Sequence, residues 1–251
     1  MGHFYTFNFQ RKQRRRLLIF ILILISLAFF IYIGTNSLLQ SQTKTAALVK
    51  GDLDKKAIAL TFNISWGEEK VYEILKSLEE QKVRATFFVS GEWAERHPQI
   101  VDEITEHGHE LGMLGYRYKN YLEQEISQVR KDILYAKEVF RKLGYENIDY
   151  IRPPSGIFNE EIVDLAKSLE LDVVHWSIAS KDWENPGVEA IVNEVLNAEK
   201  GDIILFHASD VAKQTADALE TIIPHFTSKN YSFVTISELK DGATAEESLV
   251  E

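Results

Sequence analysis

Residues 57–66 read A-I-A-L-T-F-N-I-S-W. The apolar and β-branched run Ala57, Ile58, Ala59, Leu60, Thr61, Phe62 reads as a buried strand. It stops at Asn63, and strand ends are where α/β proteins place their chemistry. A neutral amide followed by the inert Ile64 is unexpected there. What surrounds this strand decides how to interpret it.

Further strands are expected at Ala85–Val89, Glu110–Leu114, Asp149–Arg152, Asp172–Ser177, Asp202–His207 and Ser232–Ile236. Between them apolar residues recur at three- and four-residue spacing, as Val71, Ile74, Leu75 and Leu78 do. Helices are therefore expected over Glu68–Glu80, Pro98–Glu106, Glu123–Leu143, Asn159–Leu169, Val188–Asn197 and Lys213–Thr227. Gly108, Gly144 and Gly201 each stand between a helix and the next strand, where a left-handed cap residue belongs. Seven strands alternating with six helices imply an α/β fold on a parallel sheet, either doubly wound or closed into a barrel.

The N-terminal side is of another kind. Arg11, Lys12, Arg14, Arg15 and Arg16 precede an unbroken apolar run, Leu17 to Ile33. Its 17 residues make about 26 Å of helix, the short end of a membrane span, and Gly34 to Leu39 extend it. A cleaved signal peptide and an uncleaved anchor both begin this way. The run exceeds the usual 7–15 residues of a signal core and no clean A-x-A site follows, which favours the anchor. The expected layout is a cytoplasmic basic arm at 1–16, a single transmembrane helix at 17–38, a linker at 39–55, a folded domain at 56–239 and a polar tail at 240–251. The basic flank sets the N-terminus inside the cell membrane and the domain outside.

All 38 acidic residues lie beyond the span, against 23 of the 28 basic ones, so the exported part carries a formal charge near −15. That excludes a nucleic-acid or anionic-lipid surface as partner. The chain has no cysteine, so the domain relies on its core without disulfides.

The C-terminal strand ends collect Asn63, Leu114, Tyr116, Arg152, Asp182, Trp183 and His207. In a parallel barrel such ends converge on one face. Arg152 heads R-P-P-S-G, where a rigid turn explains the prolines and Gly156 but not an arginine closing an apolar strand. His207 ends I-I-L-F-H, either as a packed core histidine or as a proton-transfer group. In S-K-D-W-E-N-P-G, Asp182 and Trp183 are either an ordinary capped loop or an acid beside a sugar-stacking ring. Trp66, Tyr116, Tyr118 and Tyr121 have the same two readings. Of the other histidines, His97 reads as a helix start, His107 and His109 flank a turn, His225 lies late in a helix and His175 is packed or points outward. No nucleophile elbow, phosphate loop, H-E-x-x-H or dinucleotide fingerprint is present.

Taken in order, T-F-N-I-S, G-H-E-L-G-M-L-G-Y-R-Y, R-P-P-S-G, S-K-D-W and I-L-F-H resemble the polysaccharide deacetylase family, the NodB-homology domain of carbohydrate esterase family 4. The likeness covers about Lys56 to Leu239. The phrases F-F-V-S-G-E-W-A-E-R-H-P and H-A-S-D-V-A-K-Q-T look closest to its sporulation-associated PdaB branch, which implies a role in spore cell wall. The resemblance implies a distorted parallel (β/α)7-type barrel that removes N-acetyl groups from cell-wall glycan with a zinc or similar ion. It also assigns positions. Asn63 stands where the family keeps its base aspartate, and Ile64, Leu114 and Tyr118 stand at the metal ligands. Arg152 matches the arginine that orients the base, Asp182 and Trp183 the groove pair, and His207 the proton donor to the leaving amine. Pro153 and Leu205 match substrate-pocket positions, while Ala179 replaces a common aspartate.

Neither leucine nor isoleucine is a zinc donor, so no metal cofactor is expected. The expected partner is the N-acetylated glycan of peptidoglycan. Three functions stay open: a glycan-binding remnant, a hydrolase of N-acetyl bonds by a metal-independent route, and a structural barrel that binds a protein partner.

Overall fold

The computed structural model describes residues 21, 24–26, 47–51, 56–241 and 246–248. The chain divides into two units, Met1–Lys44 and Thr45–Glu251. Of the first, only Ile21, Leu24, Ile25 and Ser26 are described, and they are helical. The basic arm and most of the span expected at 17–38 lie outside the described residues. Among the described residues no helix is long and apolar enough to cross a membrane.

In the second unit, the opening strand is β2 (Ala57–Ile64), buried along all 8 residues. Its alternate side chains go to two different places. Ile58, Leu60, Phe62 and Ile64 pack in the layer between sheet and helices. Ala57 and Ala59 face an interior cluster with Phe88, Leu114, Val174 and Ile203. Burial on both faces is why the run reads as continuously apolar. Phe62 stacks between Phe87 at 5.0 Å and Phe206 at 5.5 Å.

Around β2 the order is β6 (Asp172–Val173), β5 (Tyr150–Ile151), β4 (Glu110–Met113), β3 (Thr86–Val89), β2, β8 (Ile203–His207), β7 (Ile178–Ala179), with β9 (Ser232–Phe233) adding to the start of β2. Every pair in this sheet is parallel. The helices α1 (Lys70–Glu80), α2 (Gly91–Arg96), α3 (Pro98–Glu106), α4 (Ile126–Lys142), α5 (Glu160–Ser168), α6 (Val188–Val195), α7 (Thr215–Ser228) and α8 (Ile236–Asp241) complete the unit. Periodicity located all of these but α2 and α8, whose 6 residues each are too few to show a period.

The arrangement is a parallel half-barrel, and the strand expected at Asp172–Ser177 shows why it is not seven even strands. It pairs with β5 only through Asp172 and Val173. The chain then crosses the opening and pairs with β8 as β7. The expected linker and tail contribute to the same region. Ala47–Lys50 form β1, antiparallel to β10 (Glu246–Ser248). Leu48 bridges to Val174 and Lys50 to Asp202, so β1 fills the gap between the two edges. The Lys50 ammonium donates to Asp202 at 2.9 Å. Gly201 is left-handed at φ +83°, as a cap glycine should be, and a Cβ there would stand 1.7 Å from the Gly51 carbonyl oxygen.

Asp210, which the sequence did not single out, accepts the backbone N–H groups of Glu68, Glu69 and Lys70 at 2.9–3.1 Å. It thereby caps α1 from another loop, since Glu69 at the N-cap makes no side-chain cap.

His109 is buried beside Phe87. Its Nδ1 accepts the Ala85 N–H at 3.2 Å, and its Nε2 has no partner among the described residues. Burial, helped by His107 and Arg84, lowers its pKa from 6.5 to about 4. The unfolded chain therefore binds the proton first. Stability is full above pH 6.5 and falls as pH approaches 4, by up to roughly 3 kcal/mol. His175, also lowered by burial, acts with the same sign. His109→Phe is expected to flatten, without abolishing, the acid limb of a stability–pH curve measured by urea titration. An unchanged limb would assign the acid sensitivity elsewhere.

Candidate functional site

Parallel register aligns the ends of β2 and β8, so that Asn63 pairs with His207. Arg152 follows β5 and donates its backbone N–H to Met113 at 2.9 Å, which turns its side chain into the barrel interior. There it is 0% exposed. Its Nη1 donates to Asn63 Oδ1 at 2.9 Å, and its Nη2 to Thr61 Oγ1 and the His175 carbonyl, both at 2.9 Å. Its Nε donates to the Val174 carbonyl at 3.3 Å. The guanidinium carbon lies 4.0 Å from the Phe88 ring centre and 5.4 Å from that of Trp176. Every partner is neutral. Burial lowers the arginine from 12.5 to about 9, still well above neutral pH, so the buried group is a cation.

After Arg152 the chain turns through Pro153, Pro154, Ser155 and Gly156. Ser155 and Gly156 take φ +62° and +69°. A Cβ at Gly156 would come within 2.1 Å of the Trp176 ring, so the turn closes against that tryptophan only as glycine.

Asp182, after β7, is fully buried. It accepts the backbone N–H of His207 at 2.7 Å, the Thr215 hydroxyl at 2.7 Å and His207 Nδ1 at 2.8 Å. An acceptor facing Nδ1 fixes the proton on that nitrogen and leaves Nε2 as the free one. The Trp183 ring stands edge-on to the imidazole at 5.1 Å.

These groups surround a cleft of about 290 Å³ lined by Asn63, Tyr118, Ser155, Trp176, Trp183, Leu205 and His207. Of the residues singled out in the sequence, Asn63, Tyr118, Trp183, Leu205 and His207 form its wall. Arg152 and Asp182 lie behind it, holding Asn63 and His207. Four others do not join it. Trp66 is 61% exposed and outside the lining. Pro153 is buried within its turn. Tyr116 packs edge-on to Tyr135 at 4.4 Å and donates its hydroxyl to Glu95 at 3.2 Å. Tyr121 is buried and donates to Asp132 at 2.9 Å, and burial pushes its phenol above the ordinary value. Trp176, Ser155, Thr61 and Thr215 were missed. Trp176 sat inside what read as an unbroken strand, Thr61 and Ser155 lay within quoted motifs without being singled out, and Thr215 has no sequence mark.

The positions that resemble metal ligands do not fit a metal. Ile64 is fully buried among helix-facing side chains, and Leu114 is fully buried in the interior. Tyr118 alone reaches the cleft. Among the described residues no three His, Cys, Asp or Glu side chains are grouped to hold an ion.

Comparison with known proteins agrees with the geometry. A family model described as polysaccharide deacetylase matches residues 50–174. A peptidoglycan-N-acetylglucosamine deacetylase of Bacillus cereus is 36% identical over 192 residues, covering 74% of this chain and 89% of that protein. The chain spans 60% of the length of another relative, YlxY of Bacillus subtilis, at 29% identity over 77% of this chain. Among solved structures, the Bc1960 peptidoglycan N-acetylglucosamine deacetylase superposes with a TM-score of 0.76 at 31% identity, over 82% of this chain and 97% of that one. BA3943 of Bacillus anthracis, described as a CE4 family pseudoenzyme, superposes with a TM-score of 0.74 at 26% identity, over 79% and 70%. A mutant of that protein has restored enzymatic activity. On its barrel, its cleft and these relatives, the chain belongs to the polysaccharide deacetylase family.

Proposed function

We propose that this protein holds N-acetylated cell-wall glycan without hydrolysing it by the metal-assisted route. The observation that carries this reading is Asn63. Its amide oxygen accepts from Arg152 where a base would need a carboxylate, while Ile64 and Leu114 are packed side chains with no metal donor. An amide takes no proton near neutral pH. The cleft itself is intact. Trp183, Trp176 and Tyr118 line it with aromatic rings, the surface a sugar packs on, and His207, oriented by Asp182, offers Nε2. Relatives named as peptidoglycan deacetylases support wall glycan as the ligand. The basic arm and the 17–38 run support a membrane anchor with the domain on the outer side, and the branch motifs support a setting in sporulation.

The test places binding and turnover on one sample. The full chain in detergent is titrated with N-acetylglucosamine oligomers and muropeptides, and acetate is measured with zinc or with chelator. Saturable binding without acetate is expected, and Trp183→Ala should weaken binding about tenfold through the lost ring contact. A second reading is favoured by the intact Asp182–His207–Thr215 set, namely hydrolysis of the N-acetyl bond with His207 moving the proton and no metal. Acetate release that persists in chelator and vanishes in His207→Ala would select it.

A further inference from the structure

The barrel interior holds a charge with no counter-charge. Arg152 is 0% exposed and gives four hydrogen bonds, to Asn63, Thr61, His175 and Val174, all to neutral oxygens. A guanidinium has five N–H donors, so one Nη1–H is left over, on the nitrogen that holds Asn63. No carboxylate pairs with it among the described residues. The acid of the site, Asp182, is committed to His207 and Thr215. Phe88 and Trp176 lie against the guanidinium but carry no charge of their own to cancel it.

Asn63 passes this polarity on to the cleft. Arginine only donates, so the amide oxygen must face it and the amide nitrogen must face away. That nitrogen has no acceptor among the described residues, and Asn63 lines the cleft. Where an aspartate would present a negative acceptor, the floor presents an N–H₂ donor backed by a buried cation. Ser155 and Tyr118 add hydroxyl donors to the same wall, and His207, the register partner of Asn63 on the next strand, lines it as well.

From this geometry we infer that the cleft selects a carboxylate-bearing sugar, such as one with a free lactyl ether or uronic acid group, over a neutral N-acetylhexosamine. The inference rests on the glycan-binding reading above and names which sugar unit the same cleft takes. The ligand carboxylate accepts from Asn63 Nδ2 and supplies the negative charge that Arg152 lacks. A charge-assisted bond of this kind is about twice as strong as a neutral one. At about 290 Å³ the cleft is at the small end of ligand pockets, with room for a single sugar unit.

The experiment titrates the full chain in detergent with N-acetylmuramic acid and with N-acetylglucosamine, which differ by the 3-O-lactyl ether that carries the carboxylate. At least about tenfold tighter binding of the acid is expected. Asn63→Asp, which sets a carboxylate on Arg152, should bring that ratio to one or below. A second comparison needs no variant: acetate should displace the bound acid sugar and the isosteric, neutral acetamide should not. Equal affinities for the two sugars, or equal displacement by acetate and acetamide, would overturn the inference while leaving glycan binding in place. Failure of both sugars to bind would overturn the glycan reading itself, and this inference with it.

Discussion

Replacing Arg152 with alanine will destabilise the domain by about 3–5 kcal/mol, the largest single-residue loss expected for this protein. Two costs add. The side chain is among the largest that are fully buried, so truncation leaves a cavity between Phe88 and Trp176. The oxygens of Asn63, Thr61, His175 and Val174 also lose their donor inside the barrel. Arg152→Met separates the two, because it fills much of the volume without the hydrogen bonds and should recover part of the loss. Urea unfolding of parent and variants checks this. A loss under about 1 kcal/mol for Arg152→Ala would mean that solvent reaches those oxygens and the interior is not dry.

Rebuilding the site should change activity most. Asn63→Asp alone is expected to stay silent in acetate release, because a base without a metal leaves the acetyl carbonyl unpolarised. The combination Asn63→Asp, Ile64→Asp, Leu114→His and Tyr118→His restores all four positions and should release acetate only when zinc is added. Each of these elements is commonly worth about 10²–10⁴-fold. The same variant carries a second signature. Ile64 and Leu114 are fully buried in apolar clusters, so a carboxylate and an imidazole there are unstable without an ion between them. The melting temperature should fall below the parent's in chelator and rise with zinc concentration, as binding to the folded state alone requires. Zinc-independent melting would show that the introduced carboxylate and imidazole groups do not converge on one ion. The BA3943 mutant with restored enzymatic activity is a precedent for such a recovery in a related pseudoenzyme of this family.

Most of the fold was legible because it rests on burial, and burial leaves a periodic mark. β2 announced itself by a run apolar on both faces, and the helices with eight or more residues by their stripes. What escaped was what periodicity cannot encode. α2 and α8 are shorter than two turns. The strand expected at Asp172–Ser177 leaves β5 after Val173, and the chain joins β8 only at Ile178, a change of partner set by the strands it meets. β1 and β10 pair across nearly the whole chain, so neither segment shows locally why it is extended. In the site, Asn63, Arg152, Asp182 and His207 were legible as polar groups ending apolar strands. Trp66 and Tyr116 were not separable from true cleft residues, because an aromatic near a strand end has the same sequence mark whether it lines the groove or stands beside it.

The pairing of β1 with β10 also bears on how the chain is made. Ala47 meets Ser248, and β1 seals an opening framed by residues near Val174 and Asp202. A nascent chain therefore presents β1 long before β10, its antiparallel partner, is synthesised. Pairings this distant in sequence incur loop-closure entropy before any contact is gained, and they form slowly. During that interval the edge of β1 that β10 pairs with is open to other chains. Removal of β10 leaves β1 with a permanently unpaired edge.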